Sequence, residues 1–231
     1  MIVFERVSKR YANGREALNN VTFSIHNGEM VFLTGRSGAG KSTVLKLIAL
    51  LERPTRGKVT VGGENTGKLK ARRVPAFRRR VGVVFQDHRL LIDRPVFDNV
   101  ALPLIVADSS LKEIDKRVRA ALDQVGLRGS ERVLPAELSV GEQQRVGIAR
   151  AIVSRPPILI ADEPTGNLDP QLASEVMALF RRLNEVGVTV VVATHDLHLV
   201  RESGLRQIVI DNGRIAGSPP DGTLPVIEAR R

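Results

Sequence analysis

The sequence predicts an α/β fold with a parallel β-sheet at its centre. Short runs with β-sheet character alternate along the chain with segments in which apolar residues return every three or four positions. Several of the short runs are entirely apolar, as expected for strands that are buried on both faces of a parallel sheet. The chain has 231 residues, of which 42% are hydrophobic, and is therefore long enough to bury a large core.

The predicted strands and helices are spread over the whole chain. Strands are expected at residues 21–25, 30–34, 58–61, 81–85, 158–161 and 188–194. A last pair of strands, QIVID and RIAG, is expected to form a hairpin, because the Asn212-Gly213 pair between them favours a tight turn. Helices are expected at residues 41–51, 111–125, 141–154 and 170–186.

One long segment interrupts this alternation. Residues 87–155 show helical patterns and no convincing strand, and we interpret them as a helical subdomain inserted into the core. Residues 1–86 and 156–217 then form the α/β core, and residues 218–231 form a C-terminal tail. We treat the chain as a single domain.

The charge of the chain favours anionic partners. The formal net charge of +10 suits nucleotides, nucleic acids or an anionic membrane surface. Aromatic residues make up only 3% of the chain, so the stacking surfaces of single-strand nucleic-acid binders are lacking. A solvated basic face explains the local arginine cluster equally well. That cluster consists of Arg72, Arg73, Arg78, Arg79 and Arg80.

The composition also bears on cellular location. The chain contains no cysteine, which excludes a disulfide framework and cysteine metal sites. The N-terminus, MIVFERVSKRY, becomes charged after four residues and does not resemble a signal peptide. No apolar run approaches the ~20 residues that cross a bilayer. We therefore expect a protein that is soluble or reaches a membrane only through a partner.

The segment GRSGAGKST predicts a phosphate-binding loop (P-loop), because it follows an apolar strand and precedes a helix. Its glycines allow backbone N–H groups to converge on the β-phosphate. Lys41 is expected to neutralise the β- and γ-phosphates, and the Ser42 hydroxyl to ligate Mg²⁺. The sequence thus predicts a nucleoside triphosphate site. The predicted ATP-binding residues of the loop are Gly35, Arg36, Ser37, Gly38, Ala39, Gly40, Lys41, Ser42 and Thr43.

Two carboxylates follow the buried strand ILIA. Asp162 and Glu163 are expected at the edge of the parallel sheet where ligands of such folds bind. Asp162 would hold the magnesium ion, and Glu163 would orient and deprotonate the attacking water. A strand followed by a polar turn explains the same residues, but the P-loop elsewhere in the chain favours the catalytic interpretation.

Several other residues are ambiguous when each is considered alone. His195 and Gln86 end apolar strands, where a polar residue has an ordinary structural explanation. Tyr11 is the only tyrosine and could stack on adenine. Ser139 and Glu142 in LSVGEQ have the spacing of a helix capping box.

The order of these motifs is more specific than any one of them. Tyr11, the P-loop, Gln86, LSVGEQ, ILIADE, the NLD of Asp169 and then His195 stand at spacings that resemble the nucleotide-binding subunits of ATP-binding-cassette (ABC) proteins. The resemblance extends from about residue 2 to residue 217. It implies a P-loop NTPase core with an N-terminal antiparallel β subdomain and an inserted helical signature subdomain.

The resemblance also implies how the residues work together. Two subunits would pack head to tail, with each ATP held between one P-loop and the signature segment of the opposite subunit. Ser139, Gly141 and Glu142 would contact the partner's ATP, and Asp169 would lie in the D-loop of the dimer. Magnesium would be held by Ser42, Gln86 and Asp162. The catalytic residues would be Lys41, Glu163 and His195, with Tyr11 and Gln86 also binding ATP.

The signature departs from the usual family pattern LSGGQ at two positions. Val140 replaces the first glycine, and Glu142 stands where glutamine is common. Because a β-branched residue disfavours positive φ, position 140 is expected to adopt ordinary geometry. Gly141 is kept, so we expect an active protein.

Residues 86–106 and the DEPTGNLD segment are similar to those of the ABC ATPases that act in bacterial cell division. That likeness implies an FtsX-like integral membrane partner, a place at the cytoplasmic face of the inner membrane, and a link to the division machinery through FtsZ. The lipoprotein-release and macrolide-export ATPases LolD and MacB are the alternative.

ABC machines that act on nucleic acid need insertions or tandem cassettes that a chain of 231 residues cannot hold, so no nucleic-acid partner is expected. A catalytically dead binding module is opposed by the complete set of Lys41, Asp162, Glu163 and His195.

The segment from Gln86 to Arg94 is the predicted dock for the membrane partner. Leu90, Leu91 and Ile92 stand between polar residues, as in a small hydrophobic contact with a charged rim. The alternative is that these three side chains pack inside the helical subdomain.

Overall fold

The computed structural model describes residues 1–166 and 168–216, and the predicted tail at 218–231 lies outside this part. The chain divides into two compact units. Among the described residues, the first comprises residues 1–27, 31–74 and 195–216, and the second comprises residues 28–30 and 75–194.

Ten strands and seven α-helices are present in the described residues. The strands are β1 (Ile2–Arg10), β2 (Glu16–Ile25), β3 (Met30–Thr34), β4 (Arg56–Val61), β5 (Glu64–Asn65), β6 (Val81–Val84), β7 (Ile158–Asp162), β8 (Thr189–Thr194), β9 (Gln207–Asp211) and β10 (Arg214–Ile215). The helices are α1 (Lys41–Ile48), α2 (Val74–Arg78), α3 (Val96–Val106), α4 (Leu111–Gln124), α5 (Val140–Ile152), α6 (Pro170–Glu185) and α7 (Leu197–Ser203).

The first unit contains an antiparallel sheet in the order β2-β1-β4-β5, which is the β subdomain that the resemblance implies. It also contains the parallel pair β3 and β9, followed by the antiparallel hairpin of β9 and β10. Asn212 and Gly213 both have positive φ in the turn of that hairpin, as the sequence predicts.

The strand β1 is missing from the sequence-based prediction because a bulge shifts its alternation. Ile2 and Phe4 are buried, and the pattern resumes one position late at Val7 and Lys9. Arg6 has a φ of 48° at the shift, and its backbone N–H donates to the Thr22 hydroxyl at 3.0 Å. A search for strict alternation therefore finds two short halves rather than one strand.

The second unit contains β6, β7 and β8 as a run of parallel strands. Every residue of β8 is buried, which confirms that the apolar strands are covered on both faces. Because the three strands are parallel, their carboxyl ends lie at one edge of the sheet.

The segment between β6 and β7 is helical, as predicted, and contains no strand in the described residues. Helix α3 packs against α4 and α5. Helix α3 was not predicted because its own residues are mostly apolar. The difference between an apolar and a polar face, which identifies a helix in a sequence, is therefore weak. Helix α7 was also missed, because its seven residues are too few to show a clear helical period. Gly204, with a φ of 64°, is its C-cap. None of the helices in the described residues is both long and apolar enough to cross a membrane.

Candidate active site

The phosphate loop between β3 and α1 is closed by glycines whose positions no other residue fits. Gly35 and Gly40 have φ angles of 143° and 120°, a region that side chains disfavour. A Cβ on Gly35 would lie 2.1 Å from the carbonyl oxygen of Ile210, and one on Gly40 would lie 2.7 Å from that of Ala17. Since both obstacles are backbone atoms, neither moves aside at low cost. The glycines are therefore required by the packing of the loop itself.

The Lys41 side chain turns back into this loop. It is 6% exposed, and its Nζ donates to the carbonyl oxygens of Gly35 at 2.8 Å and Arg36 at 3.3 Å. The loop carbonyls thus orient a buried positive charge toward the turn where the phosphates of a nucleotide are expected. This placement supports the predicted role of Lys41.

Helix α1 begins without a side-chain cap. Its N-cap is Gly40, which provides no side-chain cap hydrogen bond. A helix N-terminus without a capping side chain suits an anionic ligand. Ser42 is exposed on the same turn, as are Arg36 and Ser37 in the loop before it.

Two contacts hold the loop from outside. The Arg15 guanidinium donates to the carbonyl oxygen of Gly38 at 3.2 Å. The backbone N–H of Gly213, in the β9–β10 turn, donates to the carbonyl oxygen of Ala39 at 2.9 Å. Sequence analysis identified neither anchor, because both lie far from the loop along the chain.

Tyr11 lies beside the first turn of α1. Its hydroxyl is 3.2 Å from that of Thr43, and the Lys9 ammonium lies 5.0 Å from the centre of its ring. The structure therefore brings Tyr11 and the phosphate loop together within the first unit. Stacking of its ring on adenine stays a prediction.

The second unit brings Gln86, Asp162 and Glu163 to one sheet edge. In the parallel register Val84 faces Ala161, and Asp162 faces Ala193. Gln86 lies two residues beyond Val84 and is exposed, whereas both carboxylates are half-buried. This arrangement agrees with the expectation that functional groups collect at the carboxyl edge of a parallel sheet.

Glu163 has a left-handed backbone. Its φ is 49°, which is uncommon for a residue with a side chain. Its N–H donates to the carbonyl oxygen of Ala193 at 2.9 Å, which ties the bend to β8. Strained backbone of this kind persists only where its surroundings hold it, and it is frequent at functional sites.

The signature segment forms a complete capping box at the start of α5. The Glu142 N–H donates to the Ser139 hydroxyl oxygen at 3.3 Å, and the Ser139 N–H donates to the Glu142 carboxylate at 2.9 Å. The Ser139 hydroxyl also donates to that carboxylate at 2.7 Å. These hydrogen bonds hold the pKa of Glu142 below its ordinary value, so the side chain is ionised at neutral pH.

Val140 and Gly141, which lie between Ser139 and Glu142, have different local constraints. Val140 is the first residue of α5, and it is absent from the residues of positive φ, as the sequence analysis expects. Gly141 lies against α6, where an added Cβ would be 2.3 Å from Cδ2 of Leu172. The glycine therefore has a packing reason in addition to its proposed approach to phosphate.

Asp169 and His195 each lie at the end of a regular element. Asp169 is the N-cap of α6, and its Oδ1 accepts from the Leu172 N–H at 3.0 Å. His195 is exposed directly after β8, in the first unit. Asn167, in the DEPTGNLD motif, lies outside the described residues.

Three further polar residues support the site and were missed by sequence analysis. Asn99 is fully buried in α3, and its amide binds the backbone of Leu91 in both directions, at 2.7 and 3.0 Å. Gln144 and Arg150 project from α5 onto the loops after β7 and β6. The available signal was a polar residue at an apolar position of a helix, which is costly unless the group is hydrogen-bonded.

The proposed magnesium ligands have suitable chemistry. Ser42, Gln86 and Asp162 offer hydroxyl, amide and carboxylate oxygens, the donor type that Mg²⁺ prefers. Within residues 1–166 and 168–216 no three His, Asp or Glu side chains gather into a metal site.

These features define an ATPase of the P-loop class with a helical signature segment. The family model described as ABC transporter matches residues 18–166, and the chain belongs to this family. The chain is thus an ABC-type ATPase.

Comparison with individual relatives narrows the likeness to one group within the family. The chain is 54% identical to the cell division ATP-binding protein FtsE of Escherichia coli strain K12, over 94% of this chain and 98% of that protein. It is 46% identical to FtsE of Bacillus subtilis, over 93% and 94%. The likeness to cell-division ATPases seen in residues 86–106 is therefore confirmed.

A solved structure supports the same fold. A dimeric structure of the ATP-binding cassette MJ0796, in a post-hydrolysis state bound to ADP and Pi, has a TM-score of 0.87 and 39% sequence identity. The match covers 94% of this chain and 97% of MJ0796. The predicted ABC fold with its antiparallel β subdomain is confirmed.

Proposed function

We propose that the chain works as a head-to-tail homodimer that holds two ATP molecules between its subunits. Each ATP lies between the P-loop of one subunit and the signature segment of the other. The observation that carries this proposal is the presence of two helix N-termini with phosphate-binding features in one chain. Ser139 is exposed at the second of them. The related cassette MJ0796 is dimeric with ADP and Pi bound.

In this dimer each residue has a separate task. Lys41 and the N–H groups of the P-loop bind the β- and γ-phosphates. Ser42, Gln86 and Asp162 would hold Mg²⁺, which would supply positive charge against the phosphates. Glu163 takes a proton from the attacking water. His195 assists at the γ-phosphate, and Asp169 lies at the subunit contact.

The shared site is tested by separating its two proposed phosphate-binding segments. We call the P-loop the first grip and the signature segment the second grip. Glu163→Gln should trap a dimer with Mg-ATP and leave a monomer with ADP, as light scattering would show. Adding Ser139→Arg should prevent the dimer, because the longer charged side chain occupies the place of the partner's phosphate. Binding of a fluorescent ATP analogue should stay within about threefold, since the P-loop is unchanged. A dimer that persists in the double variant contradicts the arrangement.

We further propose that ATP binding and hydrolysis drive a conformational change in an FtsX-like membrane protein during bacterial cell division. The identity of 54% to E. coli FtsE over nearly the whole chain carries this proposal. The protein would then act at the cytoplasmic face of the inner membrane, in contact with the division machinery, including FtsZ.

The dock for this partner is the segment from Gln86 to Arg94. Leu91 and Ile92 are 42% and 73% exposed, and Leu90 is half-buried, so packing inside the helical subdomain does not describe the first two. Asn99 holds the backbone of Leu91 from beneath. The result is a fixed loop that presents apolar side chains to solvent, as a contact surface requires.

Leu91→Asp tests the dock, since a charge there opposes an apolar contact. The variant should bind ATP normally and lose recruitment to membranes that contain an FtsX-like protein. Leu111→Asp is the matched control, because Leu111 is 86% exposed at the start of α4 and should tolerate the change. Pull-down would be run with circular dichroism. Recruitment by a folded Leu91→Asp variant contradicts the dock, and capture of a lipoprotein-release or export partner would favour the LolD or MacB alternative.

A further inference from the structure

The signature helix α5 carries one polar side chain that is almost completely buried. Gln144 is 2% exposed, and its Nε2 donates to the carbonyl oxygen of Pro164 at 2.9 Å. The same amide forms a second hydrogen bond with the His88 side chain. A buried amide that uses both its donor and its acceptor is stable where an unsatisfied one is costly.

The first of these bonds reaches the loop of the proposed catalytic carboxylate. Pro164 directly follows Glu163, whose backbone is left-handed. On its N-terminal side Glu163 is held by β8 through Ala193, and its own carbonyl oxygen accepts from the Gly166 N–H at 3.3 Å. The Gln144 bond fixes the next carbonyl along the chain. A residue of α5 therefore constrains the backbone directly after Glu163.

The second bond reaches the loop after β6. His88 and Arg89 both have positive φ, at 53° and 49°. The Arg150 guanidinium, also on α5, donates to the carbonyl oxygens of both residues, at 2.7 Å for Arg89. Because Nδ1 of His88 is buried without a hydrogen-bond partner, the bond to Gln144 is made by Nε2.

One amide thus joins three segments that lie far apart in the sequence. His88 belongs to the dock segment, Gln144 to the signature helix, and Pro164 to the loop of Glu163. Gln144 has the side chain this junction needs, because its carbonyl accepts from imidazole while its NH₂ group donates to a backbone oxygen. The three residues all lie in the second unit, so the junction exists within a single subunit.

We propose that Gln144 is a positioning residue for hydrolysis: it sets the Glu163 loop and links it, through the signature helix, to the His88 loop. The inference rests on the proposed catalytic role of Glu163. A shift of α5 on engagement of the partner's ATP would reach Glu163 through the Pro164 bond. A shift of the dock would reach it through His88.

The test is Gln144→Met, which keeps the length of the side chain and removes both polar ends. Turnover number should fall about 10- to 100-fold, because small misplacements of a reacting group have effects of this size. KM for ATP should stay within about threefold, since the P-loop is unchanged. Gln124→Leu is the control, because Gln124 is exposed at the end of α4 and should leave turnover unchanged.

If Gln144 only stabilised the fold, its substitution would slow turnover whether or not the Glu163 carboxylate is present. In single-turnover reactions, Gln144→Met should cause a fall of less than threefold when Glu163→Gln is already present, since both changes disable the same step. Gln144→Glu, which keeps an acceptor for His88 and loses the amide donor, should slow turnover like Gln144→Met and serves if the first variant folds poorly.

Three results would overturn the inference: unchanged turnover in folded Gln144 variants, a rise in KM that matches the fall in turnover number, or a full additional loss in the Glu163→Gln background. If Glu163→Gln itself leaves turnover unchanged, the proposed catalytic role fails instead. The two failures are therefore distinct.

Discussion

The phosphate loop and the signature segment both end at a helix N-terminus, but they are built in opposite ways. Helix α1 has Gly40 as its N-cap and no side-chain cap. Helix α5 starts at Ser139 with a reciprocal cap from Glu142. The first N-terminus therefore has no side chain that competes with a ligand as its cap, and at the second the proposed ligand must share the serine with an ionised carboxylate.

The two segments also differ in what confines their glycines. Gly35 and Gly40 face backbone carbonyls, which cannot retreat without moving a strand. Gly141 faces side chains, with Cδ2 of Leu172 nearest at 2.3 Å and Cδ2 of Leu168 at 3.8 Å. The backbone therefore confines the P-loop glycines, whereas side chains confine Gly141.

The largest expected effect comes from Glu163→Gln, which should stop hydrolysis while both grips keep their ligand. The amide cannot act as base, and loss of a well-placed transition-state group costs about 10²–10³-fold in turnover. ATP affinity should stay unchanged, because no P-loop group is altered. Steady-state ATPase assays and nucleotide titration check both statements. Turnover at the parent rate would show that another group is the base.

Much of the first grip was predictable because it is local in sequence. The strand MVFLT, the glycines and Lys41 lie within a dozen residues, and their spacing is sufficient to predict a P-loop. The capping box of Ser139 and Glu142 was predictable for the same reason. The boundaries of β3 agree with the sequence analysis, since an apolar strand between turn residues is clearly delimited.

Contacts between distant residues could not be predicted in this way. Gln144 binds a carbonyl 20 residues away, and Arg150 binds one 61 residues away. Nothing in the local pattern of α5 shows which loop will face either side chain, because that depends on how the helix packs. The bulge in β1 was missed because a local pattern does not show the cross-strand pairing, in which the Arg6 N–H donates to the Thr22 hydroxyl.

A second prediction compares the glycines of the two grips directly. Gly40→Ala should destabilise the fold and abolish ATP binding, because a φ of 120° and a contact with the Ala17 carbonyl both oppose a side chain. Strain at such a φ alone costs about 1–3 kcal/mol. Gly141→Ala should fold and bind ATP, since Leu172 can change its rotamer. Thermal denaturation and nucleotide titration would measure both variants.

The control for this comparison is a compensating change. Leu172→Ala removes the side chain that faces Gly141, so it should restore whatever stability Gly141→Ala loses through packing. No second substitution should rescue Gly40→Ala, because its obstacle is backbone. Equal loss of stability in the two single variants would contradict the distinction between the grips.

The smallest expected effect concerns the charge at the second grip. Glu142→Gln removes an ionised carboxylate close to the proposed site of the partner's phosphate and keeps an acceptor for Ser139. With Glu163→Gln present to prevent hydrolysis, the ATP-dependent dimer should tighten about two- to tenfold, as expected for a screened charge pair worth about 1 kcal/mol or less. The gain should shrink as salt rises from 0.05 to about 0.5 M, because the repulsion is screened.

The gain in dimer affinity should persist down to about pH 5, since the pKa of Glu142 lies below its ordinary value and the carboxylate stays charged. Analytical ultracentrifugation across these conditions would measure the dimer Kd. A weaker dimer, or a gain that does not depend on salt, would mean that the Glu142 carboxylate acts mainly by holding the Ser139 hydroxyl in place.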